Sequence, residues 1–176
     1  IKPSKKHNES ILGFKVRYEN GTCIVDNIYP DSLAEEKGIA LEWVGPAEER
    51  ALVFSFAEDA WRKVSSNLLA NAIKFTPAGG KVAIAVDAHE LKDGRVEITV
   101  SVTDTGVGMG ANFQRRLFRP FAREDDKVPG TGLGLALSRE LADRMGVNIR
   151  LHSRAGEGSS FVLSLPAVTL LSSTTP

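Results

Sequence analysis

Between residues 58 and 77 the apolar positions Ala60, Val64, Leu68, Ala72 and Phe75 fall three and four apart, the spacing of one face of a helix. A helix opening near Glu58 and Asp59 and ending before Pro77 is therefore predicted, with that stripe turned to the core. A second stripe carries Lys63, Asn67, Asn71 and Lys74, so two amides and an ammonium group follow one another over about three turns. Asn is a mediocre helix former, costing on the order of 0.5 kcal/mol relative to Ala, because its side chain competes for nearby backbone groups. Two on successive turns are either a solvated polar face or a face that holds a charged ligand.

Downstream the period changes to two. Lys81 to Asp87 and Arg95 to Thr103 alternate and are predicted as strands joined by a polar tip at His89 to Gly94, where His89 is expected to be exposed and without a role. Val102 to Met109 reads as a strand ending in a glycine turn beside one carboxylate, Asp104. Leu133 to Met145 predicts a further helix with Leu137, Leu141 and Met145 buried, and Asn148 to His152 and Ser160 to Leu165 predict two closing strands around Gly156-Glu157-Gly158.

Upstream, Phe14, Val16 and Tyr18 alternate with charges before Asn20-Gly21, and Thr22 to Val25 returns, a hairpin signal. Ser32 to Lys37 reads as a short helix closed by Gly38, and Ile39 to Val44 with Ala51 to Phe56 as a strand pair around Gly45-Pro46. The polar first residues and the Ser- and Thr-rich tail from Ala167 are expected to be loose. This order predicts an α/β two-layer sandwich, a mixed sheet with three main helices on one face.

The 176 residues suit one domain with a sizeable core, and 22 basic against 22 acidic residues leave no field to draw in nucleic acid or an anionic membrane. Binding must come from local sites. A single Cys, Cys23, excludes an internal disulfide and fits a reducing, cytoplasmic compartment. No apolar run approaches the roughly 20 residues of a membrane helix, so no direct membrane contact is expected of this segment, whatever anchors a longer parent.

Four blocks remain: Asn67 to Thr76, Asp104 to Gly108, Phe118 to Phe121, and Gly130 to Gly134. Together and in this order they resemble the asparagine, first glycine, phenylalanine and second glycine boxes of the ATP-binding domain of sensor histidine kinases. That domain belongs to the wider family of gyrase-type ATPases, a heat-shock chaperone and mismatch-repair ATPases. The resemblance covers about residues 31 to 166, leaving 1–30 as an extension or linker and 167–176 as a tail. Residues 1–30 lie outside it; Gly13-Phe14 with Asn27 to Ala34 faintly resembles the carboxylate-binding loop and turn of a PDZ domain, and a linker is the plainer reading.

The resemblance implies a Bergerat-type fold with ATP and Mg2+ as cofactors. It implies that Asp104 accepts a hydrogen bond from the adenine amine, with Gly106 and Gly108 admitting the base and Ser160 supporting it. Asn71 becomes the magnesium ligand, and Asn67, Lys74 and Arg123 the residues acting on the phosphates. Phe75, Phe118, Phe121, Gly130, Thr131, Gly132, Leu133, Gly134 and Leu135 complete the nucleotide-binding set, and Ala122 to Pro129 forms a lid.

Relatives that split ATP with water usually carry Glu where this chain has Asn67, and an amide cannot act as their general base. A neutral imidazole acceptor needs little activation, which fits a histidine kinase. None of His7, His89 and His152 stands in the family's acceptor motif. The expected partners are thus a histidine-bearing dimerisation domain and, downstream, a response regulator, with the domain itself monomeric. The alternatives are a non-catalytic nucleotide-sensing or scaffold domain and an ATP-hydrolysing clamp. Asp104-Thr105-Gly106 also spells an aspartic-protease triplet, but that site needs two copies and only one is present.

Overall fold

The computed structural model describes residues 14–19, 22–28, 34, 37–44, 58–125 and 127–169. Its central helix, α1, spans Glu58–Phe75. Val64, Leu68, Leu69, Ala72 and Ile73 are buried along it, an apolar face wider than the predicted stripe. Phe75, read as the last core position, is 37% exposed and turned aside. The helix stops where Pro77 withdraws an N–H, and the Thr76 hydroxyl donates to the Ala72 carbonyl at 2.6 Å.

Five strands form the body of the main sheet: β3 (Ala40–Val44), β4 (Lys81–Glu90), β5 (Arg95–Asp104), β6 (Asn148–Arg154) and β7 (Gly158–Ser164), in spatial order β3-β4-β5-β7-β6. β1 (Phe14–Glu19) and β2 (Thr22–Ile28) make a separate antiparallel pair that continues past the predicted Val25. The β3–β4 pairing is parallel and the others antiparallel, so the sheet is mixed. The predicted partner of β3, Ala51 to Phe56, lies outside the described residues, as does most of the predicted 32–37 helix.

Alternation decides which side chains enter the core. Val82 and Ile84 from β4, Val96, Ile98 and Val102 from β5, and Phe161 and Leu163 from β7 are buried on one face, against α1 and α3 (Gly134–Arg144). Burying side chains of this size contributes about 1.5–3 kcal/mol each. Three details depart from the sequence reading. Leu137 of α3 is 51% exposed, whereas Ser138 and Ala142 point inward. A four-residue helix, α2 (Ala111–Gln114), follows the glycine turn. Finally, Val168–Thr169, read as tail, form β8 and pair with Arg95 and Val96.

The architecture is a mixed sheet with helices packed on it, and it brings the end of α1, the end of β5 and the start of α3 around one space.

Candidate functional site

That space is a cavity of about 810 Å³, walled by α1, the end of β5 with its glycine turn, residues 122–125 and 128–132, and the first turn of α3. Its apolar lining includes Val107, Met109, Phe113, Leu117, Leu135 and Phe161. The polar groups are carried by α1, the end of β5, β7 and the segments that precede α3.

Asp104 ends β5 and faces β7, paired in register with Ser159. It is 7% exposed yet lines the cavity. Burial pushes its carboxyl above the usual carboxylate value of 3.8, and backbone N–H groups of Gly106 and Ser159 partly offset that by donating to it. The Gly106 bond is 2.8 Å long. A carboxylate has about four acceptor positions, so two such bonds leave it able to accept from a donor in the cavity. Gly106 itself is buried behind the carboxylate and does not line the space; a Cβ there would stand 2.5 Å from the Phe75 carbonyl oxygen. The Phe75 carbonyl in turn accepts from the Val107 N–H at 3.2 Å, so the end of α1 and the loop after Asp104 are joined directly.

Asn67 and Asn71 line the cavity higher up the helix, Asn67 about 12 Å along the axis from Phe75. The Asn67 amide donates to the buried Ser138 hydroxyl at 2.8 Å. Gly134 lies so close that a Cβ on it would stand 3.1 Å from the Asn67 Cγ, which is the local reason for glycine at the start of α3. Lys74 sits 5.1 Å over the Phe75 ring, and its ammonium donates to the Pro129 carbonyl. Arg123 donates to the carbonyls of Val128 and Asp125, and its own carbonyl accepts from Arg116. The Gly110 N–H donates to Glu124 at 2.9 Å, tying the segment to the glycine turn.

Of the predicted site residues, Asn67, Asn71, Lys74, Phe75, Asp104, Gly108, Arg123, Gly130, Thr131, Gly132, Gly134 and Leu135 line one cavity. Four others besides Gly106 do not. Phe118 packs against the core beneath the Arg139 guanidinium, 4.8 Å from the ring centre. Phe121 is 72% exposed with φ 64°, a strained value for a bulky residue, and its N–H donates to the Gly132 carbonyl. Leu133, 41% exposed, precedes α3 instead of opening it. Ser160 is corrected to Ser159: on β7 the side chains alternate, Phe161 points into the core, and the residue two before it, Ser159, shares that face and lines the cavity. Ser160 instead meets Thr103 on the opposite face, hydroxyl to hydroxyl at 2.8 Å.

Sequence reading also missed Lys37 and Ser138, and gave Glu124 no role of its own within the predicted lid. Alternation back from Phe161 was enough to find Ser159. Among the described residues Lys37 bonds only to backbone carbonyls, and no side-chain pattern announces that.

Comparison with known proteins gives a consistent picture. Residues 57–169 match the family described as histidine kinase-, DNA gyrase B-, and HSP90-like ATPase. The sensor protein GacS of Pseudomonas syringae pv. syringae is 41% identical over 172 residues, covering 88% of this chain and 19% of that protein. The solved structure of full-length ShkA in complex with AMPPNP superposes with a TM-score of 0.62 at 31% identity, covering 80% of this chain and 28% of that one. The catalytic domain of histidine kinase ThkA, in a nucleotide-free form, gives a TM-score of 0.62 at 26% identity over 76% of this chain and 82% of that one. The chain spans 4% to 19% of the first three curated relatives, all named as histidine kinases or sensor proteins.

Proposed function

The chain belongs to the family of histidine kinase-, DNA gyrase B- and HSP90-like ATPases, and we propose that its residues 31–166 bind magnesium-ATP and pass the γ-phosphoryl group to a histidine on a separate dimerisation domain. That histidine would in turn supply a response regulator in a two-component relay.

The observation that carries the reading is Asp104, a nearly buried carboxylate at the wall of an otherwise apolar part of the cavity. Its acceptor capacity suits the exocyclic amine of adenine and repels the carbonyl that guanine presents there. The cavity volume falls within the roughly 300–1,000 Å³ usual for small-molecule sites. The amides and the ammonium of α1 face the space farther along, where a phosphate chain leaving the base would run.

The donor set also fits magnesium, a hard cation that takes oxygen donors. Among the described residues no cluster of three or more His, Cys, Asp and Glu side chains exists to cage a metal. An ion that keeps most of its waters and takes phosphate oxygens needs only one or two protein oxygens, and the Asn71 amide, which lines the cavity, would supply one. When bound, magnesium would neutralise phosphate charge and align the chain for in-line transfer. Lys74 and Arg123 bind the phosphates, and Asn67 orients the terminal group through its amide, held by Ser138. Segment 122–129 excludes water. The nucleophile needs little activation by a base, because a neutral imidazole nitrogen forms the new bond to the γ-phosphorus through its own lone pair as the bond from that phosphorus to the ADP oxygen breaks.

The test is incubation with labelled ATP, magnesium and a purified dimerisation domain from a related kinase. Acid-labile phosphohistidine on that domain is expected. Tight ATP binding with no phosphohistidine under any condition would count against catalysis and favour the nucleotide-sensing scaffold.

A further inference from the structure

The geometry points to Lys37 as a positioning residue for the adenine site, acting through the end of α1 without touching the ligand; this rests on the reading that the cavity takes an adenine nucleotide. Lys37 is half-buried and lines the cavity, and by position alone it passes for a phosphate cation. Its hydrogen bonds say otherwise. The ammonium donates to the carbonyls of Ile73 at 2.9 Å, Lys74 at 3.0 Å and Thr76 at 3.2 Å. An ammonium has three protons, and three acceptors use all of them.

Those carbonyls need an outside partner. The last carbonyls of a helix have no intrahelical donor. The Ile73 carbonyl would look to residue 77, which is Pro77 and has no N–H; the Thr76 carbonyl would look to Gly80, whose N–H is given to the Pro77 carbonyl at 3.1 Å. A cation at this end also meets the negative pole of the helix dipole. The backbone on either side reinforces the contact. Gly79 N–H donates to the Gly38 carbonyl at 3.1 Å, and Ala40 N–H to the Gly80 carbonyl at 3.0 Å.

Between the carbonyls of Lys74 and Thr76 that Lys37 holds lies that of Phe75, which accepts instead from the Val107 N–H in the loop after Asp104. Carbonyls 73, 74 and 76 go to Lys37, and carbonyl 75 goes to the glycine turn. Lys37 therefore fixes the helix end on which that turn rests, and with it the placement of Asp104, the acceptor for the base that adenosine and ATP share.

The variant Lys37→Met keeps the aliphatic length and removes the donors. Calorimetric titration with adenosine and with ATP, at a temperature where circular dichroism shows the fold intact, is expected to give losses of about fivefold or more that are equal for the two ligands. Lys37→Arg, which keeps charge and donors, is expected to recover most of the loss. A drop for ATP several times larger than for adenosine would make Lys37 a phosphate contact and overturn the proposal. So would unchanged affinity for both. Should Lys37→Met not fold, Lys37→Gln, with two N–H donors for three carbonyls, is expected to show a smaller and again equal loss, and wild-type affinity in it overturns the proposal. Failure of the unaltered chain to bind adenosine or ATP removes the nucleotide reading itself, and Lys37's role with it, whereas wild-type binding with an indifferent Lys37 removes only the latter.

Discussion

Burial raises the Asp104 carboxyl against the pull of two backbone N–H donors, and both effects have measurable consequences. Asp104→Asn keeps the size and the Gly106 contact but loses the charge, so adenosine affinity by calorimetry is expected to fall at least about tenfold. The pH dependence follows from the sign. Adenine's amine needs the ionised form, so affinity falls as pH drops through the raised value, at a higher pH than an exposed carboxylate would dictate. The free protein behaves oppositely. Ionised Asp104 is disfavoured by folding, so its contribution favours the fold at low pH and is lost as pH rises from 3.8 through the folded value. Denaturant titrations across that window should show the trend in the parent chain and not in Asp104→Asn. At the other end of the site, Asn71→Ala is expected to abolish magnesium-dependent transfer while leaving metal-free ADP binding close to wild type, as filter-binding and labelled-ATP assays would report.

At the scale of elements, α1 and the start of α3 depend on one another through Asn67. Gly134→Ala is expected to displace the Asn67 amide from Ser138 and reduce transfer about tenfold or more, with a smaller effect on adenosine, whose proposed site at Asp104 lies beyond the end of α1, two turns from Asn67. By contrast Leu68→Ala, in the fully buried face of α1, should cost about 2–5 kcal/mol of stability in denaturant melts. The helix and the strand alternation were legible because period 3.6 and period 2 are written in residue type, and α1 begins and ends where its Glu58-Asp59 opening and Pro77 predict. What escaped was set by contacts between distant segments. Leu137 fits the apolar period of α3, yet the helix is rotated so that Ser138, which bonds Asn67, takes the inward place. The parallel partner of β3 depends on how α1 crosses over the sheet, and local spacing carries no trace of it.

For the whole molecule, the grouping of twelve predicted residues around one cavity matters more than any single motif, since each block read alone is a common glycine or asparagine cluster. With Asn67 in place of an acidic base, the chain alone is expected to show no ATP turnover above background in a phosphate-release assay. Steady turnover without an acceptor would favour a hydrolytic clamp. The remaining consequence concerns Lys74. Its ammonium already donates to Pro129, and Arg123 already donates to Val128, so segment 122–129 holds the two cations that an incoming triphosphate would claim. On the proposed function, peptide oxygens and phosphate oxygens would compete for the same donors, and the apparent dissociation constant would be the intrinsic one divided by the fraction of molecules in which those donors have been released. Nucleotides lacking the terminal phosphates escape that competition, which narrows the gap in affinity between adenosine and ATP below what two added cationic contacts would suggest.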